Sequence, residues 1–120
     1  MLYTIKKKNK IILSRDRFGE KFLFFKKTKK EIIFGSEIKY IKKLISLKKL
    51  KINKNKIKDF LQFGYKILFK DNNTFFKDIY SLNSGTYIEI DQKLNIKQRR
   101  YWNYKKKINR KLKINEIIKK

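Results

Sequence analysis

Residues 11–35, IILSRDRFGEKFLFFKKTKKEIIFG, decide the fold. Three apolar runs stand between clusters of charge: Ile11-Ile12-Leu13, Phe22 to Phe25, and Ile32-Ile33-Phe34 inside Glu31 to Gly35. All are short, and β-branched and aromatic residues dominate them, so each is expected to be a strand. Asp16 to Glu20 contains Gly19 and reads as a loop, and Lys26 to Lys30 reads as a charged turn. Working outward, Leu2 to Ile5 reads as another strand, joined through a turn at Lys8-Asn9-Lys10. Connections this short join antiparallel neighbours, so an antiparallel meander is expected here.

Downstream the period changes. Ser36-Glu37-Ile38-Lys39 has the form of a helix start, with Ser36 as the N-cap and an acid in the first turn. Ile38, Ile41 and Ile45 then recur at helical spacing. Asn53 is a second candidate cap, before a helix that places Ile57, Phe60, Leu61 and Gly64 on one face. Lys70 to Asn73 reads as a polar loop, and Thr74 to Leu82 as aromatic and ambiguous, with one short helical turn. Asn83-Ser84-Gly85 is a turn, Thr86 to Ile90 a strand, Asp91-Gln92-Lys93 another turn, and Ile96 to Trp102 the paired strand. Residues 105–113 form a basic linker, and residues 114–120 begin a helix. Both ends read as cut from something longer. The fold class is therefore α+β, with antiparallel strands and two helices.

The chain has 120 residues and a net charge of +25, from 35 Lys and Arg against 10 Asp and Glu. Charge of this size points to polyanions such as nucleic acid. The rest of the composition points elsewhere. Ala, Val, Pro, His and Cys are all missing, whereas Lys, Ile, Asn, Phe and Tyr abound. Codon bias toward A and T produces that pattern without selection for a partner. Arg, the preferred side chain for bidentate phosphate recognition, occurs only five times. Nonspecific polyanion binding at low salt follows in either case. No apolar run approaches the ~20 residues of a membrane span, and nothing at the start resembles a signal peptide. A cytoplasmic protein is the expectation. Without Cys or His the chain lacks the commonest nucleophile–base pair and the commonest metal ligands. Its carboxylates are scattered among lysines, and no two have a spacing that suits acid–base work.

The most informative segment is Arg15-Asp16-Arg17-Phe18-Gly19-Glu20-Lys21. From its residues alone it is a charged turn, with Gly19 supplying a positive φ and an Arg–Asp ion pair bracing the loop. Further strings follow: FGSEIKYI from Phe34, FLQFGY from Phe60, TFFKDIYSLNSGTYIEI from Thr74, and RYW from Arg100. In that order they resemble the glutaminase domain of bacterial asparagine synthetases, over about Tyr3 to Tyr104. That family typically shows an RDRxGxKPLYY-like string, then SExKAL, FGY, TIFKGIxxLPPGHYL and YW. The departures here are mostly losses of proline: Phe22 stands at one usual proline position, and Asn83-Ser84 replaces Pro-Pro or Lys-Pro.

The resemblance implies a partial αββα sandwich of the N-terminal-nucleophile-hydrolase type. It implies that residues 1–104 are the later part of a class II glutamine amidotransferase domain, and that residues 105–120 lead into a truncated synthetase domain. The full-length family is similar to enzymes that take ammonia from glutamine with an N-terminal cysteine and use ATP with Mg2+ to convert aspartate to asparagine. The chain falls between the cysteine and glutamine-binding residues upstream and the SGGxDS-like pyrophosphate loop downstream. No catalytic, cofactor-binding or metal-ligating residue is therefore assigned. By resemblance, Arg15, Asp16, Gly19, Ser36, Glu37 and Gly85 take structural or inter-domain roles, and Arg100, Tyr101 and Trp102 mark the exit toward the synthetase domain. The expected partners are the missing parts of the synthetase, with glutamine and aspartate as family substrates. The alternatives are a basic nucleic-acid-binding protein and a noncatalytic docking module for a separately encoded synthetase half.

Overall fold

The computed structural model describes residues 10–45 and 50–104. The strand read at Leu2 to Ile5, the basic linker and the final helix lie outside the described residues.

Among the described residues six strands form two antiparallel sheets. β1 (Ile11–Ser14) pairs with β5 (Thr86–Ile90), and β5 pairs with β6 (Ile96–Arg100). β2 (Phe24–Lys27) lies between β3 (Ile32–Gly35) and the two-residue β4 (Tyr80–Ser81). The meander expectation fails at the step from β1 to β2. β1 and β2 are neighbours in sequence but belong to different sheets, because the Arg15–Lys21 loop carries the chain from one layer to the other. Only β2–β3 is the hairpin that the charged turn suggested. The second strand also starts later than expected, at Phe24 rather than Phe22.

Alternation along the strands explains the layering. Leu13, Ile88 and Ile90 from the first sheet pack with Leu23 and Leu82, against Phe25, Ile32 and Phe34 of the second. On the opposite face of the second sheet, Phe24 and Ile33 meet Ile41 and Ile45 of the helix region, together with Ile79. That helix is α1 (Ile38–Leu44). Sheet, sheet and helix are three successive layers, compatible with part of an αββα sandwich.

α1 begins differently from the sequence reading. Its N-cap is Glu37, which makes no side-chain capping bond, and there is no acid in the first turn. The Ser36 expectation is thus corrected. Gly35 ends β3, and Glu37 takes the extended cap conformation instead. α2 (Lys54–Phe63) behaves as read at its start: the Asn53 side chain accepts from the backbone N–H of Lys56. Its face does not. Leu61 and Phe63 are exposed, and the buried side chain is Lys56. A 3-10 helix (Gly64–Phe69) continues from α2. The ambiguous Thr74 to Leu82 segment contains β4 and the single bridges Ile52–Phe76 and Asn73–Tyr80, not a helical turn.

Among the described residues no helix is long and apolar enough to cross a membrane.

Candidate functional site: a loop clasp around Arg15

β1 ends at Ser14 and delivers Arg15 to the seam between the two sheets. The Arg15 guanidinium donates from Nη1 to the Leu82 carbonyl at 2.7 Å, from Nη2 to Gly19 O at 2.8 Å and from Nε to Lys21 O at 3.1 Å. Nη1 also reaches Ser81 Oγ at 3.4 Å. Four of its five N–H donors are thereby engaged within the chain. The guanidinium lies 4.6 Å from the centroid of the Phe22 ring. Burial pulls its pKa down, and the charge of Asp16 acts against that pull. The ion pair expected between Arg15 and Asp16 does not form among these contacts, because both side chains turn to the backbone instead.

Asp16 organises the other side of the loop. Its carboxylate accepts from Glu20 N at 2.9 Å and Lys21 N at 3.3 Å. Partial burial raises its pKa, but the backbone N–H donors outweigh that and hold it below the usual carboxylate range. The Asp16 carbonyl accepts from Gly19 N at 3.2 Å and from Gly85 N at 2.9 Å. Gly19 has φ +73°, the left-handed value expected of it.

The Ser84-Gly85 turn and the RYW string close on this loop. Gly85 has φ +63°, and its carbonyl accepts from Tyr101 N at 2.9 Å and Trp102 N at 3.1 Å. The Tyr101 hydroxyl donates to Arg15 O at 2.7 Å. Trp102 packs edge-on against Phe18, with ring centroids 5.2 Å apart. Arg15, Asp16, Gly19, Gly85, Tyr101 and Trp102 therefore form one clasp. Arg100 does not join it through its side chain: it is an exposed residue at the end of β6, opposite Thr86. Ser36 lies near the clasp, since it lines a cleft of about 130 Å³ with Arg15 and Asp16. Glu37 stands apart. It pairs with Lys39 at 2.7 Å on the surface, and this contact raises the Lys39 pKa.

The sequence reading missed Leu82, Lys21 and Thr86 as clasp members. They act through backbone carbonyls, with Arg15 N donating to Thr86 O at 3.0 Å, so side-chain identity carried no signal. It also missed Lys56. Only 3% exposed, Lys56 donates to Ile67 O at 2.8 Å and Asp71 Oδ1 at 2.7 Å. A buried lysine within a chain full of lysines has no distinguishing local pattern.

The clasp is built to hold backbone, not to transform a substrate. Its arginine is spent on carbonyls, and its carboxylate on amides. Among the described residues no group of three or more His, Cys, Asp or Glu is placed to hold a metal ion.

The profile of the glutamine amidotransferase domain matches residues 1–102. The chain is also 37% identical over 99 residues to asparagine synthetase [glutamine-hydrolyzing] 2 of Bacillus subtilis (strain 168), which covers 81% of this chain and 13% of that protein. The chain thus spans a small part of the length of the curated relative it matches. The ordered strings that meet in the clasp all lie inside the matched range, and the chain belongs to the glutamine amidotransferase domain family.

Proposed function

We propose that these 120 residues are a noncatalytic part of the glutaminase domain of an asparagine-synthetase-like enzyme, with an N-terminal-nucleophile-hydrolase-type sandwich. In the complete assembly, glutamine supplies the amide nitrogen and aspartate accepts it. Residues 1–104 correspond to the later part of the glutaminase domain, and residues 105–120 lead toward the synthetase part. The partners of the chain are then the remaining segments of that enzyme.

The observation that carries this reading is the clasp. Three strings spread along the chain converge on Gly85 and Arg15, and the point of convergence is where the chain leaves the sandwich at Trp102. The clasp fixes the angle at which the chain departs, which is the task of an inter-domain junction. ATP and Mg2+, implied for the full-length family, do not fit the described residues. Gly85 is buried, its N–H is already given to Asp16, and a Cβ at that position would stand 2.6 Å from Trp102 O. A phosphate loop needs open amides, and the Gly85 amide is already committed to Asp16.

The test is a chimera in which this chain replaces the matching segment of the B. subtilis relative. The isolated chain is expected to release no ammonia from glutamine, and the chimera to make asparagine from glutamine. A chimera that uses added ammonia but not glutamine would sink the assignment, because its synthetase part would be folded while the glutaminase part failed.

A further inference from the structure

Between Asn53 and Asn72 the chain makes an excursion whose two ends are tied. At its base, Lys77 N donates to Lys51 O and Asn53 N donates to Phe75 O, both at 2.8 Å, on either side of the Ile52–Phe76 bridge. The Asn53 side-chain amide also donates to Thr74 O at 3.3 Å. On the return, Ser81 N donates to Asn72 O at 2.8 Å, and Asn73 bridges Tyr80. Residues 54–71 lie inside these ties: α2, the 3-10 helix and the turn after it. Among the described residues, neither hydrophobic core contains a side chain from this excursion. Leu61, Phe63, Tyr65 and Phe69 are exposed, and Phe60 meets only the edge of Phe75 at the base, with ring centroids 5.4 Å apart. Where the excursion faces the sandwich the fit is open. Leu68 and Phe69 share with Phe22, Phe24 and Ile38 the lining of a mainly apolar groove of about 190 Å³.

What holds the excursion in shape is polar. The buried Lys56 ammonium ties α2 to the 3-10 helix through Ile67 O and to the following turn through Asp71 Oδ1. Asn73 N donates to the same carboxylate oxygen at 2.9 Å. A segment with few buried apolar contacts opens at lower free energy than a core does. Here the tied base adds a second condition: residues 54–71 can lose their structure without drawing a side chain out of either core. We propose that residues 54–71 form a flap that opens and closes as one body while the two-sheet sandwich stays folded, with Lys56 as its catch. Opening withdraws Leu68 and Phe69 from the groove and uncovers Phe22 and Phe24, so the flap governs access to that apolar surface. The inference rests on the fold and is independent of the synthetase reading.

The test is amide hydrogen exchange by mass spectrometry on the full chain, in rising urea below the unfolding transition. Amides of residues 54–71 are expected to exchange as one class, at least about tenfold faster than those of β1 and β5. Their rate should also rise less steeply with urea, because a flap exposes less surface than the whole fold. Two variants separate the parts. Ile88→Val, in the core of the first sheet, is expected to speed the β1 and β5 amides about two- to tenfold and to leave the flap unchanged. Lys56→Met is expected to speed the flap amides at least about tenfold, since it strips the Ile67 carbonyl and Asp71 of their shared donor. Four results would overturn the proposal. One rate and one urea slope for flap and sheets would make the excursion part of the global unit, and so would equal acceleration of both by Ile88→Val. A graded series of rates along residues 54–71 would mean fraying and not a single body. Flap amides unmoved by Lys56→Met would remove the catch.

Discussion

Gly85 and Gly19 both sit in left-handed backbone, but their surroundings differ. A Cβ on Gly19 would meet Arg15 Nη2 at 3.0 Å and Ser84 Cβ at 3.1 Å, and the first of these belongs to the end of a flexible side chain. A Cβ on Gly85 would meet the Trp102 carbonyl oxygen at 2.6 Å, in backbone held by two hydrogen bonds to Gly85 itself. Gly19→Ala is therefore expected to cost about 1–2 kcal/mol, the usual penalty of a left-handed L-residue. Gly85→Ala is expected to cost about 3 kcal/mol or more, because displacement of fixed backbone is added. Urea unfolding of both variants at about 0.5 M NaCl checks the order. Equal costs would show that Trp102 yields freely and that the clasp is loose there. At this scale the sequence was readable where a residue type has one physical use. Gly19 was expected at positive φ and is found there. Arg15 was not readable in the same way. Its partners are four groups brought in from residues 19, 21, 81 and 82, and adjacency to Asp16 suggested a simpler pairing that does not occur.

The second helix shows why faces are harder to read than caps. The Asn53 cap is a local bond, set by residues three apart, and it forms as read. The apolar face of α2 depends on what lies opposite. Phe60 finds Phe75 at 5.4 Å, whereas Leu61 finds nothing among the described residues and stays 79% exposed. What fastens α2 to the following segment is Lys56. Partial burial raises the Asp71 pKa, but the Lys56 ammonium and the Asn73 N–H outweigh it, so the carboxyl stays below its ordinary value. A depressed folded pKa stabilises above the unfolded value of about 4 and is lost as pH falls through the folded value. Asp71→Asn is expected to destabilise at pH 7 by about 1–2 kcal/mol, a figure kept small because the Asp71 side chain is 45% exposed. Below about pH 4 the gap between variant and parent should close. Urea midpoints measured from pH 7 to pH 3 test this. A gap that persists at the lowest pH would mean that Asp71 acts through shape and not charge.

At the scale of the whole molecule, every strand of the described residues but β4 was legible, and sheet membership was not. Alternation in Thr86–Ile90 marks a half-buried strand. It contains no information about whether β1 or β2 is the neighbour. That choice is made by the Arg15–Lys21 loop, whose three-dimensional course no local pattern encodes. The charge was legible from the start, and it has a consequence for stability. With a net +25, folding concentrates like charges, and screening should relieve them. The thermal midpoint is expected to rise by several degrees when NaCl is raised from about 0.05 to 0.5 M, the reverse of a fold held by surface ion pairs. A midpoint that falls over the same range would show that attractive pairs dominate. Four ion pairs occur among the described residues, and three of them are on the surface, which favours the first outcome.

The hydroxyl of Tyr101 reaches back across 86 residues to the carbonyl of Arg15, and β1 waits for β5 over nearly the same span. Closing so long a loop costs entropy before any contact repays it. During synthesis, therefore, β1 leaves the ribosome well before β5, while the local β2–β3 hairpin forms from neighbouring chain. The first sheet completes only after the last turn has emerged. Until then Leu13 and Leu23 remain open to chaperones and to other nascent chains. Among the contacts of the described residues the clasp is thus one of the last to form, and its closure brings Leu13 and Leu23 under cover.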